Sequence, residues 1–295
     1  MKKLGIIVLF VLVVAGLCFW LPKPADKKSD GKLAVVTSGY VAYTLTRQLA
    51  GDLADIAMLL PPNAEPHSFE PTPGALVAVR QADVFVYISD TFEPWAKDIA
   101  TGAGKNTQVV KAAAALPASV DPHIWMDFDN VRVMAQTIEG ALAAQLPEQA
   151  ETLAQNLAKF NEQLIALDES YKKGLSACQG REVVHIGHLA FERLAKKYGL
   201  TLTALAGTSH DGEHSVRRLA GVVDLIKKHH IETIFTEETL SPRLAQTVAG
   251  ETGAQILPLY TVESISKQDF DNHITYIDFM KRNLENLQRG LKCQA

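Results

Sequence analysis

The sequence has no surplus of positive charge. Its 29 Lys and Arg are outnumbered by 33 Asp and Glu, giving a net charge of -4. There is no basic field to draw nucleic acid and no RNA- or DNA-binding motif, so no nucleic-acid partner is expected. The composition of a disordered chain is also missing: 47% of residues are hydrophobic and 21% charged, with only 19 Gly and 13 Pro. No His-Glu-x-x-His helix and no nucleophile elbow occurs, which leaves a zinc hydrolase without its usual signatures. Cysteine is scarce, three in 295 residues.

The N-terminus carries the first positive signal. Met1-Lys2-Lys3 is a short basic region, Leu4 to Leu21 is an unbroken apolar run, and Lys23 to Lys32 is polar. This is the layout of an export signal. A run of about 18 apolar residues is long for a cleaved signal and just spans a bilayer. No small-x-small cleavage site stands out; a cut after Pro24-Ala25 would put Lys23 three places before it. An uncleaved anchor and a cleaved signal therefore compete, with lipidation at Cys18 third, because Leu17 stands where a small residue is usual. All three place the remainder in the periplasm or another extracytoplasmic space. There Cys178 and Cys293, both at expected helix ends, can pair; two free, half-buried thiols are the alternative.

From Lys32 onward strands and helices alternate. Leu33 to Thr37, Asp55 to Leu60, Val84 to Ile88 and Gln108 to Val110 read as strands. Helices are expected over Tyr40 to Leu49, from Thr72-Pro73, over Phe92 to Ala103 and over Val131 to Ala144. From Pro147 to Cys178 no breaker occurs until Gly174, and Leu153, Leu157, Phe160, Leu164, Leu167, Tyr171 and Leu175 form one apolar stripe. A helix of about 28 residues spans about 40 Å. The stripe lasts only about three heptads, which favours a helix joining two lobes over a coiled-coil oligomer, so a monomer is expected. The alternation then restarts: strands over Glu182 to Ile186, Leu200 to Leu205, Thr233 to Thr236 and Ala254 to Tyr260. Helices follow over His188 to Tyr198, Ser215 to His229, Ser241-Pro242 to Gly253 and Asn272 to Leu291.

The expected fold is α/β: two (β/α)4-type lobes with parallel sheets joined by one long helix. The segments are 1–31 (signal or anchor plus linker), 32–146 (first lobe), 147–178 (linking helix) and 179–295 (second lobe). Ligands of open α/β sheets bind at the carboxyl ends of the strands, here in the cleft between lobes.

Three histidines fall at such ends. His67 lies in the loop after the second strand, His123 in the loop between the fourth strand and its helix, and His188 just after the fifth strand. Pro66 and Pro122 stiffen the backbone before two of them. Glu263, after the last strand, can add a carboxylate. Three imidazoles with one carboxylate form a tetrahedral N/O set that suits zinc.

At these residues the chain resembles the cluster A-I solute-binding proteins of ABC importers for zinc, manganese and iron. Glu65-Pro66-His67-Ser68-Phe69-Glu70-Pro71-Thr72-Pro73 and Asp121-Pro122-His123-Ile124-Trp125-Met126-Asp127 look like the family's first two ligand loops. His188-Leu189-Ala190-Phe191 through Tyr198-Gly199-Leu200 looks like the third, and Glu251-Thr252-Gly253-Ala254 leads into the fourth. The resemblance covers residues 32–291. It implies a two-lobed fold, a metal held by His67, His123 and His188, and delivery to a membrane permease, without catalysis. His at the third position implies Zn2+ rather than Mn2+ or Fe2+.

Three departures stand out. Many members place an Asp after the last strand, whereas here Glu263 sits about one residue off that place, with Glu65 or water as alternatives. The His-rich loop of many zinc members is absent from Thr101 to Val120. Ser209-His210-Asp211-Gly212-Glu213-His214 carries His214 where the family has Pro. His210 and His214 are therefore candidates for a second, weaker metal site, against a plain solvated loop. His185 is expected on the face opposite His188 if the strand continues that far; it, His229 and His230 read as structural, and His273 as exposed.

Overall fold

Parallel strands covered by helices on both faces should be apolar throughout, and all four residues of Val84–Tyr87 are buried. The computed structural model describes residues 31–208, 216–237 and 242–294. The N-terminal apolar run and the His210/His214 loop lie outside the described residues. Among the described residues no helix is long and apolar enough to cross a membrane.

The first sheet contains β1 (Leu33–Thr37), β2 (Ala54–Met58), β3 (Val84–Tyr87) and β4 (Gln108–Lys111), in the order β2-β1-β3-β4. The second contains β5 (Glu182–Ile186), β6 (Thr201–Ala204), β7 (Thr233–Thr236) and β8 (Gln255–Pro258), in the order β6-β5-β7-β8. Every pairing is parallel. The helices are α1 (Tyr40–Ala50), α2 (Pro73–Gln81), α3 (Pro94–Thr101), α4 (Phe128–Gln145), α5 (Ala150–Ser176), α6 (Glu192–Lys197), α7 (Val216–His229), α8 (Pro242–Thr252), α9 (Lys267–Asp271) and α10 (Tyr276–Gly290). The two-lobed α/β fold is thus as expected, and the two sheets repeat one strand order.

Two helices start four residues later than the sequence suggests. The segment expected to be helical from His188 is irregular until Glu192. Its amides have tertiary partners instead: the His188 N–H donates to Glu237 Oε1 at 2.6 Å and the Leu189 N–H to Gly207 O at 2.6 Å. The last helix starts at Tyr276, not Asn272, because Thr275 and Asp278 form a reciprocal capping box there. The residues just before it form the separate short α9, capped by Ser266.

The linking helix α5 has 27 residues and buries Leu153, Phe160, Leu164, Leu167, Tyr171 and Leu175; Leu157 of the expected stripe is only half-buried. One continuous apolar cluster runs from Val35 and Val84 of the first sheet through Leu164 and Tyr171 to Val183 and Phe235 of the second. Smaller clusters lie on the outer face of each sheet. Hydrogen bonds tie α5 to both sides. Asn156 Nδ2 donates to Leu49 O at 2.8 Å and the Tyr171 hydroxyl to Met280 O at 2.6 Å. Cys178 and Cys293 form a disulfide across 115 residues, fastening the end of α5 to the segment after α10.

Glu93 is a buried carboxylate at the start of α3. Burial pushes it up from 4.5 to about 7, against the Ile88 N–H that donates to its Oε2 at 2.8 Å. The folded protein therefore holds a proton there that the unfolded chain releases between these values. The resulting stability is complete below about pH 4.5 and is lost as pH rises through about 7. Glu93→Gln should remove this dependence and make the metal-free protein more stable at pH 8, by at most about 3 kcal/mol. Urea unfolding of both proteins at pH 4.5 and pH 8 checks it; parallel pH profiles would refute it.

Candidate metal centre

Four side chains from four different loops converge at the carboxyl ends of the strands. His67, His123, His188 and Glu263 each offer one donor atom, all within 4.8 Å of one another. Glu263 Oε2 stands 3.4 Å from His67 Nε2, 3.5 Å from His123 Nε2 and 3.2 Å from His188 Nε2. The His123 and His188 Nε2 atoms are 2.9 Å apart. His123, His188 and Glu263 are buried, and His67 keeps 10% of its side chain exposed.

Each residue is aimed by its own loop. His67 lies between β2 and α2. Its N–H donates to Glu65 Oε1 at 2.9 Å, and Trp95 Nε1 donates to Pro66 O at 2.8 Å. Phe92 meets the His67 ring edge-on at 5.2 Å. Glu65 thus shapes the loop and lies outside the four-donor cluster. His123 precedes a 3-10 turn, Ile124–Met126, whose Trp125 indole donates across the cleft to Thr261 O at 2.8 Å. Val262, buried and β-branched, has φ 64. Such a residue in the left-handed region costs about 1–3 kcal/mol and marks an over-determined site; here it turns the chain one residue before Glu263.

The ring nitrogens facing away from the centre meet carboxylates. His123 Nδ1 is 3.1 Å from Asp121 Oδ1, and His188 Nδ1 is 2.8 Å from Glu237 Oε1. This fixes which nitrogen of each ring turns inward and raises its basicity toward a cation. Burial disfavours a charged His188, yet Glu263 and Glu237 outweigh it and push the residue up to about 10. Burial also acts to raise Asp121, but the His123 contacts and Arg193 hold it below the usual carboxylate range.

Reading residues alone missed Glu237. Its signal was available: an acid directly after the buried strand β7, at the strand's carboxyl end. Strand β5 ends at Ile186, and His185 lies behind the centre, with Nδ1 3.0 Å from His188 O and Nε2 3.9 Å from Glu237 Oε1. A Cβ on Gly187 would stand 2.0 Å from Glu237 Oε1 and 2.7 Å from His185 Cε1, so only glycine fits between them. His229 pairs with Glu182 at 2.7 Å, and His273 is exposed.

Comparison with known proteins follows the same lines. A family model described as "ZnuA: Zinc-uptake complex component A periplasmic" matches residues 35–290. Zinc-binding lipoprotein AdcA of Streptococcus pneumoniae is 34% identical over 312 residues, with 98% of this chain and 61% of the relative covered. High-affinity zinc uptake system protein ZnuA of Bacillus subtilis is 33% identical, with 90% of each chain covered. This chain therefore spans only 61% of the length of the AdcA relatives. Among solved structures, the Zn(II)-bound ZnuA-like domain of S. pneumoniae AdcA matches with a TM-score of 0.78 at 34% identity, covering 88% of this chain and 99% of that one. The laminin-binding protein Lmb of Streptococcus agalactiae, described as an adhesin with metal-transporting activity, matches with a TM-score of 0.80 at 31% identity and the same coverage.

Proposed function

This chain belongs to the ZnuA family of periplasmic zinc-uptake components, and from that premise we propose that it is an extracytoplasmic solute-binding protein that captures one Zn2+ between its lobes and delivers it to an ABC importer. The observation that carries this reading is the donor set: three imidazole nitrogens and one carboxylate oxygen within 4.8 Å, in a largely buried cleft. Zinc takes four such ligands tetrahedrally, and three neutral imidazoles favour it over the harder Mn2+. His67, His123, His188 and Glu263 are the ligands.

A shell filled by four side chains leaves no position for an activated water, so the protein binds and does not catalyse. It works as a monomer and without nucleic acid, in keeping with a net charge of -4. On this reading residues 32–146 and 179–295 are the lobes and 147–178 the connection. The apolar core shared by both sheets limits metal release to small loop motions.

Elemental analysis of the purified protein should find zinc, and calorimetry should give one ion per chain with Mn2+ a weak competitor. Chelation should leave a folded protein with a lower melting temperature, as mass action requires. Unfolding on chelation would instead mark a purely structural metal, and no zinc uptake at all would sink the reading.

A further inference from the structure

We infer that Arg193 and Lys197, two cations on one face of α6, are positioning residues of the metal centre that hold the His123 segment in place from the opposite lobe. The inference rests on the zinc-binding reading above. His123 belongs to the first lobe and α6 to the second, directly after His188. The segment Asp121 to Asp127 carries His123, and each cation grips one of its ends.

At the front end Asp121 divides its two oxygens. Oδ1 accepts from the His123 N–H at 3.0 Å and lies 3.1 Å from His123 Nδ1. Oδ2 is paired with Arg193 Nε at 2.8 Å. The same guanidinium donates through Nη2 to the Ser119 hydroxyl, which in turn donates to Asp121 O at 2.9 Å. The guanidinium therefore locks the carboxylate that locks the imidazole. At the rear end Lys197 Nζ donates to Asp127 Oδ1 at 2.6 Å. Asp127 is the N-cap of α4, accepting from the Asp129 N–H. Lys197 also reaches Asp129 Oδ2 at 2.9 Å and Asp168 Oδ1 of the linking helix at 3.5 Å. Arg193 is 28% exposed and Lys197 18%, so neither pair is a fully solvated surface contact.

The spacing explains why one helix does both tasks. Positions 193 and 197 are four apart and lie on one helical face. His188 is held from behind by Glu237, and the same segment continues into the helix that holds His123. The two fully buried imidazoles are thereby set relative to one another before any ion arrives. Without Arg193 the Asp121 carboxylate keeps His123 as its partner but loses its own anchor, and the ring is free to tilt.

The test compares Arg193→Met, Arg193→Lys and Lys197→Met with the unaltered protein, and uses Lys292→Met as a control. Lys292, in the segment after α10, pairs with Glu232 at 2.6 Å, both exposed and away from the centre. Zinc dissociation is timed with a chromogenic chelator, association by stopped flow, and geometry by the visible spectrum of the Co2+-loaded protein. Arg193→Met should release zinc about ten- to a hundred-fold faster, the range for lost outer-shell partners. Its association rate should stay unchanged and its Co2+ bands should shift. Arg193→Lys should recover part of the loss, Lys197→Met should show a smaller one, and Lys292→Met should match the parent. If Arg193→Met fails to fold, the Arg193→Lys and Lys197→Met release rates decide. Release rates within two-fold of the parent with an unshifted Co2+ spectrum would overturn this inference alone. A parent that binds no zinc would overturn the zinc-binding reading and this inference together.

Discussion

His188→Ala is expected to lower zinc affinity by about two to three powers of ten. Zinc bound by four protein ligands is worth about 10–16 kcal/mol, or roughly 2.5–4 kcal/mol for each ligand. His188 should sit at the upper end of that share. It is fully buried, its Nδ1 and N–H are both held by Glu237, and its Nε2 lies 3.2 Å from Glu263 Oε2. Removing it also takes the imidazole contact from the buried Glu237, which keeps the residue-188 N–H. The variant should therefore lose some metal-free stability as well. Competition titration with a zinc chelator reads the affinity, and a thermal melt of the metal-free protein reads the stability. An affinity within three-fold of the parent would remove His188 from the ligand set. Glu65→Gln, which alters a loop-shaping residue outside the cluster, should have a much smaller effect.

Replacing Cys178 and Cys293 together by Ser should cost about 4–5 kcal/mol of unfolding free energy. The bond closes a loop of 115 residues, and the chain-entropy model gives about 4.7 kcal/mol for a loop of about 100. For a protein of this size that is a drop of roughly 10 °C or more in melting temperature. The effect should fall on stability and not on the metal. The disulfide lies at the end of α5, before β5 begins, whereas the centre lies beyond the carboxyl ends of the strands. Zinc affinity of the folded double variant should stay within about three-fold of the parent. Denaturant melts with and without a reducing agent, followed by a zinc titration in native buffer, separate the two quantities. A stable, reduced protein with unchanged melting would show that the shared core alone holds the C-terminal segment.

Much of the architecture was legible because it follows from short-range rules. Val84–Tyr87 is buried on both faces and reads as an unbroken apolar run. The apolar stripe of the linking helix recurs at helical spacing, and six of its seven expected residues are buried. The three histidines were visible because each follows a strand. What escaped was set by partners distant in sequence. The first turn expected after His188 is absent because Glu237, 49 residues on, takes the His188 amide. Glu263 is displaced by one residue from the place where the family resemblance puts an acid. Its orientation follows from Val262 in a left-handed conformation, which no propensity scale would assign to a β-branched residue. Arg193 and Asp121 stand 72 residues apart in the sequence, and only the fold brings them to 2.8 Å.

The apolar cluster shared by both sheets has a further consequence, for discrimination between ions. Donors from the two lobes are spaced by dozens of packed side chains, which deform little because a close-packed interior has low compressibility. An ion that prefers six ligands at longer reach must push this whole frame apart before it is satisfied. One that accepts four at short reach need not. Preference among metals then resides in the elasticity of the entire molecule as much as in the chemistry of four side chains. Core substitutions far from the cleft, by softening that frame, belong among the changes that alter which metal is kept.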